Sequence, residues 1–281
     1  MQRSPSAPTL PVRRDLNLLY LLSLVVALGL IAASVLGLVF PERIYPTEEL
    51  RRSFLANEVV NLAIGVPILL GSMCFARRGR LLGLLFWPGA LFYTSYNYIA
   101  YVFCMPVNLM FVLYLTLLPL SVYTMVGLVA SIDGKAVQQR LAGVVPERFA
   151  GGALVGLGIL VILLIAGLVA GALAKQTEVP ETELAVRIAD AMIAPAWIVG
   201  GILLWRHKAL GYVSGVGLLF QGSMLFVGLI AIILLQPFLT GVPVAWVDVI
   251  VLVLMGSVCF VPFGLFVRGV VMRIGNQEAT P

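Results

Sequence analysis

Charge is what this sequence has least of. Asp, Glu, Lys and Arg make up 11% of its 281 residues, and 61% of the chain is hydrophobic. Soluble domains carry roughly 25% charged residues. A soluble fold of this composition would lack the polar side chains to cover its surface, which excludes an aqueous α/β enzyme. Histidine is scarcer still. The sole copy, His207, falls in a short basic loop. No bis-His haem, no histidine-based zinc site and no Ser–His nucleophile pair can therefore be built within apolar helices. The three lysines, Lys135, Lys175 and Lys208, all lie between the apolar runs, so a retinal Schiff base is excluded as well. GxSxG, Walker A and HExxH patterns are absent. Three cysteines at different depths (Cys74, Cys104 and Cys259, with no CxxC) predict no disulfide and no redox pair.

What the sequence does have is long apolar runs, with mean hydropathy of +1.06. Eight of them, 16–40, 55–76, 81–103, 109–131, 149–174, 186–205, 209–236 and 246–272, are long enough for a helix to cross ~30 Å of hydrocarbon. Five basic clusters fall in every second gap: Arg13-Arg14, Arg77 to Arg80, Lys135 with Arg140 and Arg148, Arg206 to Lys208, and Arg268 with Arg273. Short loops rich in Lys and Arg stay on the cytoplasmic side. Eight crossings with both termini inside satisfy all five clusters, which predicts an all-α, multi-pass protein of the plasma (inner) membrane. The net charge of +5 is spread over loops rather than along one face, so it marks topology and lipid head groups, not nucleic acid. Residues 1–15 read as a disordered cytoplasmic tail, 132–148 as a linker and 273–281 as a second tail. The first run is too long for the 7–15-residue core of a signal peptide and is expected to remain as an anchor.

The two halves resemble each other. Pro46-Thr47-Glu48-Glu49-Leu50 precedes the second run, and Pro180-Glu181-Thr182-Glu183-Leu184 precedes the sixth. At a constant offset of 128 residues, Pro67 matches Pro195, Arg78 matches Arg206, Gly83 matches Gly211, Gly89 matches Gly217 and Phe92 matches Phe220. The loops and the runs differ in register by six residues. An even number of spans per copy predicts two parallel four-helix units, 16–131 and 149–272, related by an axis along the membrane normal. The fifth run carries Gly152-x-x-x-Gly156 and Gly167-x-x-x-Gly171, the small-residue spacing of close helix packing.

Polar groups inside hydrocarbon are costly unless they face a bundle interior, and each is a functional candidate. Their depth is informative. Glu58, Asn61 and Gly65 share one face in the outer half of the second run. Tyr93, Asn97 and Tyr101 form an i, i+4, i+8 stripe on the third, with Tyr96 beside it. Asn108 and Tyr114 begin the fourth. Arg187 and Asp190 enter the sixth at i, i+3, Gln221 is central in the seventh, and Asp248 opens the eighth. The inner half offers no carboxylate. The pattern predicts a polar pocket open to the outside, with Glu58, Asn61, Tyr93, Asn97, Tyr101, Arg187, Asp190 and Gln221 as ligand-binding residues. Glu58 is expected to face the interior, beside the tyrosine stripe or Arg187.

Three functions compete. A transporter or binder of a small molecule or lipid fits the tandem units and the prolines at matching places (Pro67 and Pro195). A membrane-embedded enzyme acting on a lipid or isoprenoid would use Glu58, Asp190 and Asp248 as acid or base, or jointly on a divalent ion. A non-catalytic receptor or assembly subunit is the third. No cofactor is expected; the lipid bilayer and an outer-side ligand are the expected partners.

Overall fold

The computed structural model describes residues 10–278. Among them the architecture is all-helical, with a single isolated bridge, Val12–Ile132, as its only β pairing. In order, the helices are α1 (Asn17–Val39), the one-turn α2 (Pro41–Ile44), α3 (Glu48–Val60), a π turn (Asn61–Gly65), α4 (Val66–Arg77), α5 (Leu81–Cys104), α6 (Leu109–Ser131), α7 (Gly134–Leu141), α8 (Glu147–Lys175), α9 (Glu181–Trp205), α10 (Ala209–Thr240) and α11 (Trp246–Glu278). The segment from α3 through the π turn to α4 runs as one rod. Seven helical units, α1, α3–α4, α6, α8, α9, α10 and α11, are long and apolar enough to cross a membrane.

The remaining long helix is α5, and its sequence explains why it stands apart. Tyr, Thr, Ser and Asn fill its second half, and 19 of its 24 residues are buried. A helix surrounded by protein need not be apolar, because its polar groups meet other side chains rather than lipid. The outer helices show the reverse. Leu18, Leu21 and Leu28 on α1, Val112 and Val126 on α6, and Leu163 on α8 are large, apolar and exposed, a surface that hydrocarbon covers favourably.

Local chemistry sets the helix ends. Thr47 Oγ1 accepts from the Leu50 N–H at 3.2 Å, and Asn108 Oδ1 accepts from the Phe111 N–H at 3.0 Å, each satisfying a donor the helix leaves free. In the rod, Pro67 has no N–H and its ring would crowd the carbonyl of Ala63 four residues back. The ladder widens just before it: the Val66 N–H reaches the Asn61 carbonyl.

Two hairpin turns are built alike. The N–H groups of Arg78, Gly79 and Arg80 reach the carbonyls of Cys74, Ala76 and Phe75. Those of Arg206, His207 and Lys208 reach Ile202, Leu204 and Leu203. The central residues take positive φ, 77° at Gly79 and 53° at His207; only the glycine does so without steric cost. One turn further, a Cβ on Gly83 would meet the Ala76 nitrogen at 2.3 Å, and one on Gly211 would meet the Leu204 nitrogen at 2.3 Å. Every one of these pairs keeps the offset of 128 residues.

The glycines of α8 pack in a different register from the one expected. Gly156, Gly167 and Gly171 have nothing near them. Gly151 instead lies on the Gly201 carbonyl, and Gly158 on Ile198 and the Ala194 carbonyl. The spacing that faces α9 is therefore i, i+7, two turns along one stripe, rather than i, i+4.

Of the expected tails and linker, residues 1–9 and 279–281 lie outside the described residues. Residues 10–15 run along the end of α6, where the Arg13 N–H reaches the Ser131 carbonyl and the Asp133 N–H reaches the Pro11 carbonyl. The linker holds α7, whose Val137 and Leu141 are buried, and α11 continues through 273–278.

The two ends of the bundle are named here for Tyr45 and Lys208. Toward the Tyr45 end the halves differ. The first half is packed tightly around α2, Tyr45 and the tyrosines of α5. In the second, no residue of α8 beyond Gly158, of α10 beyond Gly228 or of α11 before Gly256 is buried.

Candidate functional site

Glu58 sits on the inward face of α3, one turn before the π turn, and is 1% exposed. The Tyr45 hydroxyl donates to its Oε1, while Ser34 of α1, Tyr101 of α5 and Asn61 of the π turn stand beside the same carboxyl group. Gly37 makes room for this arrangement. A Cβ there would fall 2.7 Å from the Tyr45 hydroxyl and 2.9 Å from Glu58 Oε1. Burial pushes the Tyr45 phenol well above its ordinary pKa, and the Glu58 carboxyl group adds to the effect, so Tyr45 serves as a fixed neutral donor.

Aromatic rings close the cluster. Tyr101 packs on Tyr114 at 4.8 Å between centroids and on Phe54 at 4.6 Å, and Tyr98 lies 5.9 Å from each of Tyr101 and Tyr114. Four oxygen atoms of the cluster, Ser34 Oγ, Asn61 Oδ1, Tyr98 OH and Tyr114 OH, are enclosed without a hydrogen-bond partner. Buried polar atoms are nearly always paired, so four orphans around one carboxyl group ask for an explanation.

No basic side chain supplies it. The long helices around the cluster, α1, α5 and α6, contain no charged residue at all. Arg52 pairs with Glu48, and Arg51 Nη1 donates to the Tyr45 carbonyl at 3.4 Å. The ion pairs among the described residues do not include Glu58. A charged side chain at membrane depth costs on the order of 2–3 kcal/mol, a large part of a typical net stability.

The other expected site residues separate into further groups. Asn57 Nδ2 donates to Tyr101 OH at 3.1 Å and lies 3.4 Å from Asn97 Oδ1, which brings Asn97 and Tyr101 to the edge of the Glu58 cluster. Tyr93, on the same stripe, lies against Gly228 of α10 and Gly65 of the π turn. Arg187 and Asp190 form a second cluster on α9: Arg187 Nη1 reaches Asp190 Oδ2 at 3.1 Å, and Tyr96 donates to Asp190 Oδ1 at 3.0 Å. Gln221 is a third. Its Oε1 accepts from Trp197 Nε1 at 2.7 Å, and its Nε2 is enclosed without a partner. Glu58 is thus beside part of the stripe, and Arg187 is engaged elsewhere.

Three of the surface cavities are one of ~320 Å³ at Leu36, Phe40, Arg43, Ile44 and Asn108, one of ~240 Å³ between Pro88, Phe92, Ala196 and Leu218, and one of ~570 Å³ at Arg13, Ile132, Lys135 and Ala209. None of the eight expected site residues lines any of them. Of the tyrosines expected there, Tyr101 packs against Phe54, Tyr98 and Tyr114. The carboxylate trio fails too. Asp248 is exposed on the first turn of α11, and no three His, Cys, Asp or Glu side chains gather among the described residues.

Several contributors carried no sequence signal. Ser34 sits in a run of apolar residues, Tyr45 in a short loop without periodicity, and Asn57 and Tyr98 beside more conspicuous neighbours. At the opposite end, Glu147 accepts from the Gly143 N–H at 2.8 Å and from Tyr212 OH at 3.1 Å, and His207 Nδ1 lies 3.3 Å from that hydroxyl. This chain ties α8 to the α9–α10 turn.

No family model, curated protein or solved structure matches the chain.

Proposed function

We propose that the protein is a transporter or binder of a small molecule or lipid, with the Glu58 cluster as its working site. In this reading the chain crosses the plasma (inner) membrane eight times, with α5 as the central crossing and both termini in the cytoplasm. Its two parallel four-helix units meet where α5 and α10 cross. Supporting the topology, Arg78, Arg80, Lys135, Arg206 and Lys208 gather at the Lys208 end, as short cytoplasmic loops do. Supporting the repeat, the two like turns, the two like glycine contacts and the crossing at Gly89 and Gly217 all keep one offset.

The observation that carries the function is the sealed carboxyl group. An ionisable residue inside a membrane bundle is a functional-site hypothesis by default, and no ion pair among the described residues includes Glu58. The closed surroundings correspond to an occluded state, in which a ligand reaches the cluster after α2 and Tyr45 move aside. An enzyme is the weaker reading, because Glu58, Asp190 and Asp248 do not converge on one substrate position.

Native mass spectrometry of the protein released from detergent tests this. Wild-type protein is expected to carry a bound organic species of defined mass, lost or reduced in Glu58→Gln and Tyr98→Phe. Bare protein mass in all three, at detergent conditions that retain annular lipid, overturns the binding function.

A further inference from the structure

We propose that the Glu58 cluster binds one monovalent alkali cation. This rests on the reading of the cluster as a working site, and it adds the chemistry of what sits there.

Charge balance is the first argument. Glu58 is sealed, and the groups with formal charge on the surrounding elements are occupied or distant. None lies on α1, α5, α6 or α10. On α2 and α3, Glu42 and Arg43 flank the Tyr45 loop, Glu48 pairs with Arg52, Glu49 accepts from Thr182 at 2.6 Å, and Arg51 holds the Tyr45 carbonyl. On α9, Arg187 is held by Asp190 and Glu183. A buried carboxyl group is neutralised by one positive charge, a proton or one monovalent cation, and the two compete for the same site. Divalent ions favour sites with several carboxylates, and none is near.

Ligand chemistry is the second. The enclosed atoms around Glu58 are oxygens: the carboxyl group, Ser34 Oγ, Asn61 Oδ1, and the hydroxyls of Tyr98 and Tyr114. An all-oxygen set with no thiol or imidazole suits hard cations, not soft transition metals. Ser34 and Asn61 stand beside the Glu58 carboxyl group and Tyr114 beside Tyr45, yet Ser34 Oγ, Asn61 Oδ1, Tyr98 OH and Tyr114 OH form no well-aligned hydrogen bond, which leaves their lone pairs free for a cation. The π turn beginning at Asn61 adds backbone whose carbonyls depart from the regular ladder, a feature that recurs at functional sites.

Size is the third. An organic ammonium would need a cage of parted rings, whereas Tyr98, Tyr101 and Tyr114 stack within 4.8–5.9 Å of one another. In this closed arrangement a bare ion fits between oxygens, whereas an organic ligand needs α2 and Tyr45 to move aside first. Its way in is marked by the cavity reaching Arg43 and Ile44, one residue from Tyr45.

The test measures thermal stability and 22Na binding of the detergent-purified full chain. NaCl, KCl or LiCl replaces choline chloride at constant ionic strength and fixed pH. Wild type is expected to show saturable stabilisation by at least one alkali cation, with one site per chain. Glu58→Gln is expected to lose the cation dependence. Ser34→Ala, which keeps the charge and removes one oxygen, is expected to bind about tenfold more weakly; it also carries the test if Glu58→Gln does not fold. A wild type indifferent to all three cations relative to choline overturns the proposal, as does cation stabilisation that persists unchanged in Ser34→Ala and Glu58→Gln. The two readings fail separately. An organic adduct with no cation dependence removes only the cation, and cation dependence with no organic adduct removes the organic ligand.

Discussion

Gly89 of α5 and Gly217 of α10 touch backbone to backbone: a Cβ on Gly89 would lie 2.2 Å from the Gly217 carbonyl oxygen. The two residues stand 128 positions apart, the offset of the two like turns, and they touch in space. Under the proposed repeat, such a contact between equivalent positions marks an axis passing between the halves. The crossing also sits at the centre of the bundle, between the most buried helices.

Filling this contact separates α5 from α10. Gly89→Val is expected to abolish the monodisperse folded protein on size-exclusion chromatography, because the clash is with backbone and cannot be relieved by a rotamer change. Gly171→Val, on the part of α8 where nothing lies within 4 Å, is the control and should leave the profile unchanged. Equal behaviour of the two variants would remove the crossing from the account.

Much of this architecture was legible in the sequence, and the reason is physical. Hydrocarbon demands a continuous apolar run, so 109–131 reads directly as α6, and 209–236 differs from α10 only at its far end. The buried face of Glu58, Asn61 and Gly65 was legible because polar groups are rare and costly in membrane helices. Tyr45 was not, since a tyrosine in a short loop carries no periodicity to say which way it turns. Nor was the stacking of Tyr98, Tyr101 and Tyr114. Whether Tyr98, Tyr101 and Tyr114 line a space or stack into it depends on helix rotations of a few tens of degrees, which residue spacing along one helix does not determine. The glycine register of α8 failed for a similar reason: Gly152 and Gly151 are equally small, and only the position of α9 selects between them.

The topology has a direct check. Cysteine-accessibility labelling in intact cells is expected to find positions 79 and 208 protected and positions 49 and 181 reactive. A reporter fused after Met272 should be cytoplasmic. Labelling of 79 from outside would invert the bundle, and an odd number of crossings would show as a reporter on the outer face.

The Tyr45–Glu58 contact depends on Gly37 having no side chain. Gly37→Ala is expected to push Tyr45 and Glu58 apart and cost about 1–3 kcal/mol of stability, read as a lower unfolding midpoint in detergent. Tyr45→Phe removes the donor and leaves the ring, so it isolates the hydrogen bond. Loss of a bond to a charged or potentially charged acceptor costs about 1.5–3 kcal/mol. A Gly37→Ala protein as stable as wild type would mean α1 and the Tyr45 loop shift freely, and that the cluster is less rigid than its packing implies.

At the Lys208 end, pH acts on the strap formed by residues 10–15. The N–H of Ala136 holds the Asp133 carboxyl below the usual range, with the Arg13 guanidinium adding to the effect. A depressed carboxyl pKa contributes stability that is present above the unfolded value and is lost as pH falls through the folded one. Hydrogen exchange at Arg13 and Asp133 is therefore expected to be slow at neutral pH and to lose protection below about pH 4, beyond the ordinary pH dependence of exchange. Asp133→Asn should show the weaker protection at all pH values. Protection unchanged down to pH 3 would mean that the backbone pairs to Ser131 and Pro11 hold the strap without the ion pair.

The Arg187–Asp190 pair makes an asymmetric prediction. Asp190 is the more enclosed partner, with a side chain 15% exposed against 35% for Arg187. Deleting Arg187 leaves a mostly buried carboxylate with Tyr96 as its one remaining donor. Deleting the charge of Asp190 leaves a guanidinium that still reaches Glu183 at 3.7 Å and water. An uncompensated buried charge costs more than a lost exposed one. Arg187→Met is therefore expected to destabilise by about 1–3 kcal/mol, and Asp190→Asn by less. Because the cost of the first is the orphaned carboxylate, the double variant Arg187→Met/Asp190→Asn should recover part of the loss, a coupling visible in a double-mutant cycle. If Asp190→Asn proves the more damaging single change, the residue is valued for its own charge rather than as a counter-ion, and the α9 cluster joins Glu58 as a working site.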